Sequence, residues 1–209
     1  MLDERRLSRV IEKMTTDSLL ITDPVSIAYL CGKKIEPGER FLGLLIGKGI
    51  NPVLILNQLF RFSDEIGVKV EYYKDTDTIT NIISQFIDKN SSLGVDKIMP
   101  ARFLIPMIEA KIAAEFKLGS YAVDHTRAIK DAREQELMRA ASHINDLAMA
   151  EFKKLIHEGV TEVEVASQML GIYQRLGASG YSFEPIVAFG KNAADPHHMP
   201  DDTVLQEGD

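Results

Sequence analysis

Five histidines, one cysteine and scattered carboxylates are the side chains of this 209-residue sequence best suited to chemistry, and their spacing narrows the choice. His197 and His198 stand side by side in a polar segment with Asp195, Pro196, Pro200, Asp201 and Asp202. An imidazole in such a loop can donate a hydrogen bond or carry a proton near neutral pH. Adjacent histidines converge on one ion less easily than residues a helical turn or a strand step apart, and an acidic loop is ordinarily a solvated one, so the cluster reads poorly as a metal centre. His125, His143 and His157 are scattered, and His157 is expected in the last turn of a long helix, where a cation complements the dipole. Cys31, the single cysteine, excludes an intramolecular disulfide and a thiolate zinc cluster, and reads as a small apolar core residue beside Ile27, Tyr29 and Leu30. Glu134 and Glu164 could pass for paired catalytic carboxylates, but each follows a capping side chain by three places, Asp131 and Thr161, which makes their work local. Gly47-Lys48-Gly49 lacks the Lys-Ser/Thr pair and the following helix of a phosphate loop and reads as a hairpin turn.

The elements that must position these side chains follow from periodicity. Leu2, Leu7, Val10, Ile11 and Met14 predict a helix over residues 2–14 that runs into a strand at 18–22. Residues 41–46 and 52–56 read as adjacent strands joined by a tight turn, and 68–72 as a further strand. A helix opened by Asp77 is expected over 77–87, a short strand at 93–95 and an amphipathic helix over 101–112. Such alternation implies a sheet covered by helices. The pattern then changes to a long helix over 132–157, with Leu137, Ala141, Ile144, Ala148, Phe152 and Leu155 on one broad buried face and Gly159 just past its end. Thr161 and Glu164 open a second helix through Val165, Met169, Ile172 and Leu176, ended by Gly177. Residues 183–189 read as a strand with Phe183 and Phe189 on one side, at least one of them packed in a core, followed by a polar loop over 190–202.

At 45% hydrophobic and 26% charged content, the chain can bury one large core or two modest ones. Its net charge of -7, with the basic residues spread along the chain, argues against a nucleic acid partner. The opening Met1-Leu2-Asp3-Glu4-Arg5-Arg6 is polar where a signal peptide needs an apolar stretch, and no apolar run approaches a membrane span. The expected location is cytoplasmic, with no membrane contact.

Several segments, in this order, carry a resemblance. Ser182-Phe183-Glu184-Pro185-Ile186-Val187-Ala188-Phe189-Gly190, then Asn192-Ala193-Ala194, Pro196-His197, and finally Leu205, Gly208 and Asp209 resemble the entry to the pita-bread catalytic domain of the M24 metallopeptidases, the proline dipeptidases and Xaa-Pro aminopeptidases. Arg127-Ala128-Ile129-Lys130 with Glu134 is similar to the join between that family's two domains. Ile27-Ala28-Tyr29-Leu30-Cys31-Gly32 and Gly38-Glu39-Arg40-Phe41 resemble its smaller N-terminal domain, shared with creatinase.

The resemblance implies an α/β creatinase-type N-terminal domain over residues 1–125, a ribonuclease H-like mixed sheet with flanking helices, and the first part of an α+β pita-bread peptidase domain over 126–209. It implies metal-dependent hydrolysis of the bond before proline in short peptides, by a prolidase-like Xaa-Pro dipeptidase or an Xaa-Pro aminopeptidase. Two divalent ions, manganese, cobalt or zinc, serve that chemistry in the family. Their ligands lie beyond the position of Gly208-Asp209, so the chain is expected to stop short of them, to hold no metal and to be inactive alone, and Asp209 is not expected to be a ligand. His197 matches the family histidine at the mouth of the site, which implies a catalytic role as hydrogen-bond donor to the substrate or tetrahedral intermediate; no role transfers to His198. Short proline-containing peptides and a homodimer are the implied partners, with the N-terminal domain covering the active site. Two other readings share the fold: a creatinase-like hydrolase that works without metals, and a metal-free peptide-binding module. A sheet left incomplete at Asp209 would present an unpaired edge, through which self-association is expected.

Overall fold

The computed structural model describes residues 1–209 as two compact units, Met1–Ile129 and Lys130–Asp209. In the first, α1 (Glu4–Lys13) begins where the Asp3 carboxylate accepts from the amides of Arg5 and Arg6, and it buries Leu7 and Val10. β1 (Ser18–Ile21) is buried along its whole length. The apolar segment around Cys31 is α2 (Pro24–Cys31), an element the periodicity did not announce; Asp23 caps it, Pro24 pre-sets its first turn and Gly32 ends it. β2 (Leu42–Gly47) and β3 (Ile50–Asn57) form the expected hairpin, turned by Lys48 and a Gly49 whose φ of 75° is left-handed.

β4 (Lys69–Tyr73) is followed by α3 (Ile79–Ile83), shorter than the helix expected over 77–87. Asp77 turns its carboxylate back to the amide of Lys74 at 2.7 Å, which leaves Thr78 at the cap position. β5 (Ser92–Val95), α4 (Ala101–Glu109), β6 (Glu115–Leu118) and α5 (Ser120–Ala128) complete the unit. β6 and α5 had no clear signal in the sequence: β6 is a four-residue edge strand with only Phe116 partly covered.

The six strands lie in the order β4-β3-β2-β1-β5-β6. The pairs β1–β2 and β2–β3 are antiparallel and β3–β4, β1–β5 and β5–β6 are parallel, so the sheet is mixed, as anticipated. Strand alternation divides the core into two. Leu19, Ile21, Leu44, Ile46, Leu54 and Leu56 face α1, α2 and α5, while Leu20, Leu45, Val53, Ile55, Leu93 and Val95 face α3 and α4. Cys31 is fully buried, and burial pushes its thiol up to about 11, in keeping with a core role.

In the second unit, α6 (Ala132–Phe152) opens with the reciprocal Asp131/Glu134 capping box and α7 (Glu162–Arg175) with the Thr161/Glu164 box. Both glutamates therefore do the local work read from the sequence. α6 ends at Phe152, passes into a 3₁₀ turn at Lys153–Leu155, and leaves His157 exposed beyond the helix rather than in its last turn. Its buried face is narrower than the periodicity implied: Ala148 and Phe152 pack with Ile172 of α7, whereas Leu137 and Ala141 are exposed.

The segment 183–189 is not a strand. Strand conformation is held by a neighbouring strand, and the only sheet in residues 1–209 lies within Met1–Ile129. Phe183 is accordingly exposed, and Phe189 packs with Val160 and Val165.

Candidate functional site

Thr161 places Glu162 at the first position of α7, where a carboxylate is favoured by the unpaired amides and the helix dipole. The same turn ties down a distant stretch of chain. The amides of Glu162 and Val163 donate to the carbonyls of Thr203 and Asp201 at 3.2 and 3.1 Å, and the amide of Leu205 donates to the Val160 carbonyl at 2.9 Å.

Glu162 is completely buried although it is an acid. Burying an unsolvated carboxylate costs several kcal/mol or more, on the order of the transfer penalties of isolated ions, so compensation is required. Four donors supply it. Oε1 accepts from the Phe189 amide at 2.7 Å and from Asn192 Nδ2 at 3.0 Å; Oε2 accepts from His198 Nε2 at 2.6 Å and from the Asp201 amide at 3.1 Å. Burial raises the Glu162 pKa, but the bonds from Phe189, His198, Asp201 and Asn192 outweigh it and bring it from the ordinary 4.5 to about 2. An ionised carboxylate only accepts, so Nε2 of His198 carries the proton.

The loop closed in this way carries His197. A 3₁₀ turn at Gly190–Ala194 follows Phe189, and the amides of His197 and His198 donate to Asp195, to Oδ1 at 2.9 Å and to the carbonyl at 3.2 Å. Asn192 Nδ2 also reaches Thr203 Oγ1 at 3.0 Å. Gly190 has a φ of 48°, a left-handed conformation that favours glycine at this corner of the loop. His197 itself is exposed, while the His198 side chain is only 14% exposed. The neighbouring imidazoles thus diverge, His198 into the hub and His197 towards solvent.

Ligand-type atoms of Glu162, His198 and Asp201 lie within 4.8 Å of one another. These residues do not fit a divalent ion. Each Glu162 oxygen already receives two N–H groups, the His198 nitrogen points its proton at one of them, and Asp201 Oδ1 accepts from the Thr203 amide at 2.8 Å. The cluster is a hydrogen-bond hub. Sequence reasoning missed both of its central members, because Glu164 drew attention as the capping residue and His198 offered no pattern. The available signal was a second acid, Glu162, beside the Thr161 cap.

In Met1–Ile129, Arg40 of the Gly-Glu-Arg-Phe segment grips Asp75 through Nε and Nη2 at 2.9 and 3.0 Å, and Asn57 Nδ2 joins the same carboxylate at 2.7 Å. The Arg40 hydrogen bonds hold the Asp75 carboxyl below its ordinary range. This arrangement fastens the start of β2 to the segment after β4.

Residues 5–129 match the family model of the creatinase/prolidase N-terminal domain, and residues 136–209 match that of metallopeptidase family M24. An uncharacterized peptidase of Staphylococcus epidermidis is 27% identical over 216 residues, covering 98% of this chain and 59% of that protein. An uncharacterized peptidase of Staphylococcus aureus gives the same 27% and the same coverage. The prolidase from Pyrococcus horikoshii OT3 superposes with a TM-score of 0.81 at 25% identity, covering 98% of this chain and 58% of that one. The dipeptidase PepE from Mycobacterium ulcerans does so with a TM-score of 0.80 at 25% identity, covering 97% and 57%. The chain therefore spans 59% of the length of the curated relatives it matches.

Proposed function

We propose a function from the fact that this chain belongs to metallopeptidase family M24 and carries its creatinase/prolidase N-terminal domain. The protein hydrolyses the peptide bond before proline in short peptides, as an Xaa-Pro dipeptidase. The likeness to a prolidase and a dipeptidase at 25% identity supports this substrate class. The observation that carries it is the presentation of His197: an exposed imidazole on a loop closed by a buried carboxylate. An N–H donor placed where a carbonyl oxygen gains charge lowers the barrier, and the loop that carries His197 is fixed through its backbone.

His197 is assigned the role of donor to the substrate carbonyl or the tetrahedral intermediate. Glu162, His198 and Asp201 are assigned to the scaffold. Divalent metals belong to the proposal through family membership, and the four donors already seated on Glu162 leave this hub to the scaffold.

The test is hydrolysis of Leu-Pro and Gly-Pro by the full-length protein, after chelation and after adding back manganese, cobalt or zinc. Cleavage that disappears on chelation and returns with metal is expected, and His197→Ala should lower kcat by about a hundredfold. Absence of cleavage with every metal overturns the reading.

A further inference from the structure

The amide of His197 is held by Asp195 Oδ1 at 2.9 Å, and the loop that carries both residues is closed on its two flanks by one residue. The amide of Phe189 is held on Glu162 Oε1 and that of Asp201 on Oε2, while Asn192 and His198 reach the same carboxylate from within the loop. Glu162 is buried, so it does not touch a substrate. Its hydrogen bonds are of the charge-assisted kind, which are the stronger ones, and withdrawing the acceptor would strand buried donors. We propose that Glu162 is a positioning residue that acts through His197, with His198 as its partner inside the loop. This rests on the reading of His197 as donor, and the role is distinct from that of Glu164, which only caps α7.

The experiment compares wild type with E162Q, H198Q and H198L in the full-length protein. Amide hydrogen exchange at Phe189 and Asp201 and the ring signals of His197 are read by NMR, with Leu-Pro hydrolysis alongside. E162Q keeps one carbonyl oxygen and sets an NH₂ group against the donors on the other, so exchange should rise by about tenfold or more at whichever of the two amides faces the NH₂ group. The His197 ring signals should shift, while the amides of β1, β2 and β3 stay as in wild type. H198Q keeps an N–H donor and should retain more protection than H198L. In hydrolysis, E162Q should lower kcat by about ten- to a hundredfold with KM little changed. Added to H197A it should have no further effect, because a residue that acts only through His197 has nothing left to act on.

Unchanged exchange and ring signals in E162Q overturn the proposal, as does a double variant slower than H197A by the full E162Q factor. If E162Q fails to fold, the H198Q and H198L pair decides, and identical exchange and ring signals in the two overturn it. If the wild type cleaves no Xaa-Pro peptide, the peptidase reading falls by itself, and exchange and ring signals still decide whether Glu162 holds His197.

Discussion

At the scale of single residues, each unit has a buried carboxylate that gathers several donors. Glu162 has a folded pKa of about 2 against an ordinary 4.5. A depressed acid stabilises the folded state above its unfolded pKa and loses that contribution as pH falls towards the folded value. The stability advantage of wild type over Glu162→Gln should therefore be constant from neutral pH down to about 5 and shrink towards pH 2, as urea denaturation at each pH would report. An advantage that does not change with pH would contradict this account. Asp96 plays the comparable part at the end of β5: it accepts from the amides of Thr22 and Asp23 at 2.6 and 2.7 Å and from the Thr22 hydroxyl at 2.7 Å. Asp96→Asn turns an amide donor towards some of these donors and should cost about 1–3 kcal/mol in the same measurement.

At the scale of elements, the caps and the sheet edges carry the argument. The Thr161 hydroxyl accepts from the Glu164 amide at 3.2 Å and the Glu164 carboxylate returns a bond from the Thr161 amide at 2.9 Å. Thr161→Ala removes one half of this exchange and should destabilise by about 1 kcal/mol, read as a lowered urea midpoint with an unchanged slope. Both edge strands carry oppositely charged side chains two residues apart: Lys69 with Glu71 at 3.1 Å on β4, and Lys117 with Glu115 at 2.8 Å on β6. As exposed ion pairs they add little stability, but charges on an edge discourage a second sheet from pairing there. Replacing Glu115 and Lys117 together by valine should leave the fold intact and raise self-association in light scattering. A variant as monodisperse as wild type would remove the edge-protection argument.

At the scale of the whole molecule, the two units differ in how much core they own. Met1–Ile129 buries apolar side chains on both faces of its sheet, whereas the clusters of Lys130–Asp209 centre on a few residues such as Phe152, Ile172, Val165 and Phe189. The slowest hydrogen exchange should therefore lie in β1, β2 and β3, with the amides of Lys130–Asp209 faster. Leu54, fully buried on β3 between β2 and β4, should cost about 2–5 kcal/mol when replaced by alanine. Much of this architecture is legible in the sequence. Alternating apolar runs locate β1 to β5, a turn needing a left-handed residue locates the hairpin, and Asp131 with Glu134 and Thr161 with Glu164 locate two helix starts, because these signals depend on neighbours in the chain. The order of motifs around Pro196-His197 pointed to the family. What only the tertiary structure decided are the features that need distant partners. Residues 183–189 have the composition of a strand but no strand beside them, β6 is polar and exists through pairing with β5, and the first half of α6 is periodic without being buried. Glu162 and His198 belong to this second group. They lie 36 positions apart, and a buried acid can be told from a surface one only when the donors that make its burial tolerable are brought to it by the fold.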